Sequence, residues 1–254
     1  MATPHYYTSL GEFRGLFATG NPVLTYHKVG PRPRGARLKG LYVSPALFAR
    51  QLGDLRAAGY RSGPLGNAAA PVQAGRIVLT FDDGFVNVLE HALAPLRSNG
   101  FSAIQFLVAD LLGKTNEWEA VAGERTEPLM DAAQVREWLA AGHDIGSHTL
   151  SHPFLTQLSR DTAREEISAS KKKLEDLFGR AIEHFCYPYG DWNPAVRDLV
   201  IEAGYRTACT TTNGVNTAAD SPFELKRLTA RYRSRSMRSL VAWFRERLTC
   251  FPLP

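Results

Sequence analysis

Apolar and polar positions alternate along this chain in two rhythms that follow one another in turn. Short apolar runs of strand character are expected near Ile77–Phe81, Ser102–Val108, Asp144–Ser147, Ile182–Tyr187 and Tyr205–Cys209. Between them the apolar spacing lengthens to the helical period, predicting helices near Val86–Ser98, Ala132–Ala141, Arg160–Phe178 and Pro194–Ala203. An earlier helix opens at Ser44-Pro45, a hydroxyl cap followed by proline in the first turn, and carries Phe48, Leu52 and Leu55 on one side. Asp131 and Asn193 stand where caps belong before two of the other helices. Glycine closes the helical stretches at Gly59, Gly100, Gly142, Gly179 and Gly204. A further strand is expected at Asn21 to His27, and a last helix from Ser236 to Thr249 with Met237, Leu240, Val241, Phe244 and Leu248 on one side. So steady an alternation predicts an α/β fold with a parallel sheet, closed into a barrel and flanked by helices. A single domain over residues 1–254 is expected, because no linker, low-complexity tract or internal repeat marks a boundary.

Two polar stretches carry the candidate chemistry. The run Ile77-Val78-Leu79-Thr80-Phe81 delivers Asp82-Asp83-Gly84 to the rim of the sheet, and paired carboxylates there call for a cation. Further on, His148 and His152 stand four residues apart in Ser-His-Thr-Leu-Ser-His-Pro, a spacing that places both imidazoles on one face of a helical turn. One aspartate with two histidines makes a three-ligand set with positions open to water and substrate, the catalytic kind of zinc site. Residue chemistry leaves open which of Asp82 and Asp83 holds the ion and which takes a proton. His27 and the Tyr187-Pro188-Tyr189-Gly190 turn also follow strand-like runs, where barrels keep their chemistry.

Thr80-Phe81-Asp82-Asp83-Gly84, Ser147-His148-Thr149-Leu150-Ser151-His152-Pro153 and Phe185-Cys186-Tyr187-Pro188-Tyr189-Gly190 resemble, in order and spacing, the motifs of the polysaccharide deacetylases. These form the NodB-homology group, carbohydrate esterase family four, and the resemblance covers roughly residues 20 to 215. It implies a distorted (β/α) barrel in which Asp83, His148 and His152 bind Zn2+ or another divalent transition metal. Asp82 would then be the general base, and the backbone N–H of Tyr189 would meet the oxyanion. The family's arginine that orients the base is absent from the third motif, where Cys186 stands, and no C-terminal Leu-x-His supplies the usual acid. Val23-Leu24-Thr25-Tyr26-His27 is similar to the Tyr-His segment of the poly-N-acetylglucosamine deacetylase branch, which implies His27 as the acid.

The resemblance implies removal of N-acetyl groups from an N-acetylated amino sugar, whether polysaccharide, oligosaccharide or glycolipid precursor. Two other readings keep the same fold: hydrolysis of another amide such as a cyclic imide or ureide, and glycan binding by a site that has lost catalysis. The loops Pro31–Lys39 and Asn116–Glu127 are expected to shape the choice of substrate. Trp192 is a candidate wall of the acetyl pocket or an ordinary packing residue, His143 is expected either behind the metal ligands or facing solvent, and His91 and His184 read as surface positions.

The formal net charge of +5 gathers near the end of the chain, in Lys226, Arg227, Arg231, Arg233, Arg235, Arg238, Arg245 and Arg247. The expectation is a solvated basic face, with an anionic partner, a phosphate-bearing sugar donor or a membrane surface contacted peripherally, as the alternative. Nucleic acid is not expected, since no recognition motif accompanies the charge. Cys186, Cys209 and Cys250 match no metal or disulfide spacing. No run of eighteen apolar residues and no signal-like N-terminus is visible, so the expected compartment is the cytoplasm.

Overall fold

The computed structural model describes residues 6–120 and 123–231, so the helix expected at 236–249 lies outside the described residues. Seven parallel strands form a closed barrel: β1 (Val23–Tyr26), β2 (Arg76–Phe81), β3 (Ile104–Leu107), β4 (Asp144–Ser147), β5 (His184–Cys186), β6 (Thr207–Asn213) and β7 (Leu225–Thr229). Strands β2 to β7 neighbour one another in chain order, and β1 closes the ring by pairing with both β7 and β2. A two-residue strand, Arg61–Ser62, extends the sheet beside β2.

The longer helices are α1 (Leu10–Phe17), α2 (Pro45–Ala57), α3 (Val86–Asn99), α4 (Ala132–Ala140), α5 (Arg160–Phe178) and α6 (Pro194–Glu202), and a single helical turn at Glu117–Ala120 carries Trp118 and Glu119. The expected caps are in place. Ser44 and Asn193 each accept a first-turn N–H, and Asp131 forms a reciprocal capping box with Gln134. Gly100 and Gly179 take the left-handed conformation that ends α3 and α5. No helix among the described residues is long and apolar enough to cross a membrane.

Strand periodicity divides the core into two shells. In β2, Ile77, Leu79 and Phe81 pack with the helices, whereas Val78 points inward to a cluster with Val23, Ile104, Phe106, Cys186, Cys209 and Leu225. The same period sends Thr80 and then Asp82 toward the barrel axis. Because Tyr26 is in register with Phe81, the next residues along, His27 and Asp82, leave the sheet as neighbours. The Asp82 N–H extends this ladder to the Tyr26 carbonyl at 3.0 Å.

Among the longer elements, α1 and β7 were not expected from the sequence. Strand β7 also corrects the reading of the basic tail at one position. Leu225, Arg227 and Leu228 are buried rather than displayed on a solvated face, and Arg227 is only 2% exposed.

Candidate active site

Asp82, Asp83, His27, His148, His152 and Tyr189 line one cavity of about 380 Å3 together with Leu38, Leu41, Trp118, Glu119, Tyr187, Thr211, Arg227 and Thr229. The sequence-predicted residues thus converge. Trp118, Glu119 and Arg227 join them from stretches that carry no motif.

Asp83 follows Asp82 with φ +76, a left-handed conformation that turns consecutive carboxylates to different partners. Its Oδ1 lies 3.4 Å from Nε2 of His148 and 3.4 Å from Nε2 of His152. The ligand-type atoms of these three buried side chains all fall within 4.8 Å of one another. His148 Nδ1 is 2.7 Å from the Cys186 carbonyl, a contact that fixes the ring and directs Nε2 at Asp83. His152 is fixed by packing: Trp118 stacks on it at 4.3 Å and Tyr189 meets it edge-on at 4.5 Å.

The two histidines reach one point by a different route from the helical turn expected. Residues 148–152 are irregular, with Thr149 at φ +68 and His152 at φ +66, and Thr149 Oγ1 accepts the His152 N–H at 2.9 Å. Two left-handed residues fold the segment back on itself, which brings the rings to 4.8 Å between centroids at 71°.

Asp82 is answered by Arg227. The guanidinium grips it in a fork, Nη1 to Oδ1 at 2.7 Å and Nη2 to Oδ2 at 2.8 Å. Remaining N–H groups bind the Thr210 carbonyl and the Thr25 and Thr80 hydroxyls, so this arginine is held on every side within the barrel. The expectation that no arginine supports this aspartate is therefore corrected. The cation missing from position 186 comes instead from β7, and its Nη2 lies 3.2 Å from Cys186 Sγ. Burial raises the Asp82 pKa, yet Arg227 and then His27 outweigh it, and the net shift is downward. For Asp83 burial again acts upward, and the hydrogen bonds from His148 and His152 carry it well below the ordinary range.

His27 Nε2 stands 3.7 Å from Asp82 Oδ2. Burial lowers its pKa below the usual imidazole value, against the pull of Asp82 and Asp83. At Tyr189 the backbone is again left-handed, φ +59, followed by Gly190 at φ +71. A Cβ on Gly190 would overlap the Thr211 side chain, so only glycine lets this turn lie against β6.

The donor set fits a divalent ion at Asp83, His148 and His152. Its three ligand atoms converge, and Arg227 is engaged by Asp82. A second grouping, Asp82 with His148 and Cys186, is also close, but Arg227 occupies both Asp82 oxygens and burial pushes the Cys186 thiol up to about 11. Trp192 does not line the cavity; it stacks on Tyr187, 6.1 Å away. His143 and His184 are buried rather than at the surface.

Comparisons with known proteins point to one family and one fold. The polysaccharide deacetylase family model matches residues 69–208. The chitooligosaccharide deacetylase of Azorhizobium caulinodans is 30% identical over 145 residues, 56% of this chain and 61% of that protein. The peptidoglycan-N-acetylglucosamine deacetylase of Bacillus cereus is 29% identical over 124 residues, 48% of this chain and 39% of that protein. The chain therefore spans less than two thirds of the length of either relative. Among solved structures, IcaB from Ammonifex degensii superposes with a TM-score of 0.73 at 26% identity, covering 88% of this chain and 96% of that one. The Streptococcus pyogenes deacetylase PplD, determined in complex with acetate, shares the fold with a TM-score of 0.73 at 23% identity, over 88% of this chain and 97% of that one. With more than half its length matched by the family model, this chain belongs to the polysaccharide deacetylase family.

Proposed function

We propose that this protein is a metal-dependent hydrolase that removes N-acetyl groups from an N-acetylated amino sugar. The observation that carries the reading is one cavity in which Asp83, His148 and His152 converge beside an Asp82 with both a cation and an imidazole in reach. A divalent ion such as zinc, held by Asp83, His148 and His152, supplies Lewis-acid polarisation of an acetyl carbonyl and a more acidic water.

The remaining work falls to side chains of this chain. Asp82 takes a proton from the attacking water as general base. Its fork with Arg227 fixes the direction of its lone pairs and keeps it ionised. The same pairing lowers its basicity. His27, beside Asp82, gives a proton to the departing nitrogen, without which an amide leaves poorly. The Tyr189 N–H donates to the carbonyl oxygen as it gains charge. At the rim Phe154 stacks on Tyr189 at 3.9 Å and 8°, offering a flat apolar face to a sugar ring.

The test is acetate release from N-acetylglucosamine oligomers by metal-stripped and zinc-restored protein, with Asp82→Asn and His27→Ala alongside. Zinc-dependent release that is lost in both variants supports the proposal. Stoichiometric zinc binding with no acetate from any oligomer would shift the reading to another amide. No metal binding at all would favour a glycan-binding protein.

A further inference from the structure

Glu119 lines the same cavity and has no part in the chemistry above. It is only 5% exposed, and its one cationic partner among the described residues is Lys28, whose Nζ lies 2.6 Å from Oε2. Lys28 is wholly buried, with its ammonium over the Phe85 ring at 4.5 Å and the Tyr42 ring at 5.0 Å. One carboxylate oxygen and two π faces therefore hold the ammonium, and the ammonium in turn fixes Oε2. The backbone is tied as well: the Glu119 N–H donates to the Asn116 carbonyl and the Glu119 carbonyl accepts from the Glu124 N–H. Trp118, the preceding residue, covers His152.

The other carboxylate oxygen, Oε1, has no hydrogen-bond donor among the described residues, and it is not among the buried atoms sealed from solvent. It therefore opens onto the cavity. An ion pair this deep gains little over two well-packed apolar side chains, so stability alone does not account for it. Half of the carboxylate is consumed in fixing the other half in space. Because Lys28 already balances the charge, what the free oxygen fits is a neutral O–H donor rather than an ammonium.

We infer that Glu119 is a substrate-positioning residue: Oε1 accepts hydrogen bonds from hydroxyl groups of the sugar whose acetamide reaches Asp82. The inference rests on the deacetylase reading for the identity of the sugar. It assigns to Glu119 the recognition of the ring, apart from the acetyl group.

The test is equilibrium binding of an N-acetylglucosamine tetramer by calorimetry, in an Asp82→Asn background that prevents turnover, with and without Glu119→Ala. A hydrogen bond to an ionised group corresponds to roughly 10- to 150-fold in affinity. The expected result is at least tenfold weaker binding in the Glu119 variant, with metal content unchanged. In the active protein, Glu119→Ala should raise KM for the tetramer far more than it lowers kcat. It should alter hydrolysis of an aryl acetate, which has no hydroxyl, by less than about threefold. Equal tetramer affinity with and without Glu119 would overturn the proposal, as would an equal loss on both substrates, which is the mark of a scaffold role. If the parent protein binds the tetramer but releases no acetate, the deacetylase reading fails while the affinity comparison still decides on Glu119. No tetramer binding by the parent protein overturns both. Should Glu119→Ala fail to fold, the same measurements in Lys28→Met with Glu119→Ala, which leaves no unpaired ammonium, decide the matter.

Discussion

Arg227 and Asp82 stand 145 positions apart in the chain and meet as a two-pronged ion pair inside the barrel, at 2.7 and 2.8 Å. Arg227→Met would leave a buried carboxylate with no full cation beside it, a change that typically costs about 3–5 kcal/mol. The Asp82 pKa is now depressed, so removing the cation moves it upward, and a base works only above its pKa. The acid limb of the pH profile of kcat/KM should therefore shift to higher pH in Arg227→Met. Arg227→Lys, which restores charge but not the fork, should lie between the two. An unmoved acid limb in both variants would count against Asp82 as the base.

Metal and stability are linked through Asp83. An ion that binds only the folded chain adds about 2.7 kcal/mol of stability at a hundredfold excess over its Kd. Thermal unfolding of the stripped protein should therefore move up in temperature as zinc is titrated in. In Asp83→Asn, which keeps the shape but removes the charge between His148 and His152, that rise should shrink to near zero. A rise of full size in the variant would place the ion elsewhere.

The turn after β5 separates a backbone role from a side-chain role. Tyr189→Phe leaves the N–H untouched and should hold kcat within about threefold. Gly190→Ala drives a Cβ against Thr211 and strains φ +71, displacing the N–H before it. Loss of one oxyanion donor corresponds to about 100- to 1000-fold in kcat. Steady-state rates of the two variants, with far-UV circular dichroism to confirm folding, make the comparison; the reverse ranking would remove Tyr189 N–H from the mechanism.

His143, at the opposite ends of the strands, gives the fold an acid-sensitive point. It is buried against Trp138, and burial lowers its pKa from the usual 6.5 to about 4. Between those values the unfolded chain binds the proton and the folded chain does not, so stability is fully present above pH 6.5 and declines as pH falls toward 4. His143→Phe should flatten that decline in a series of melting temperatures from pH 7 to pH 4.5. An unchanged slope would assign acid sensitivity to other groups.

The motif residues could be read from the sequence because each ends an apolar run, and strand periodicity then fixes which way it points. Helix ends were equally legible, since Ser44, Asp131 and Asn193 are caps for a local reason that no distant contact overrides. Arg227 was not, because Leu-Lys-Arg-Leu-Thr reads as the start of a basic tail. The available signal was a deficit: an aspartate base with cysteine in place of its arginine needs a cation from somewhere. Left-handed backbone at Asp83, Thr149, His152 and Tyr189 is not readable from residue type, as none of these is glycine. Trp118 and Glu119 lie in a segment without periodicity, and only tertiary packing gives them their neighbours.

Closure of the barrel through β1 carries a consequence for how the protein matures. His27 and Arg227 both fall outside the family-matched stretch 69–208, yet they flank Asp82 because β1 pairs at once with β2 and β7. Contacts between such distant parts of a chain form late and slowly. A refolding chain can thus collect its ligand residues from the middle of the sequence first, while its base stays unaligned until the two ends meet. Hydrolysis would then lag behind the recovery of helical signal during refolding, and the reaction itself becomes a clock for the last seam to close.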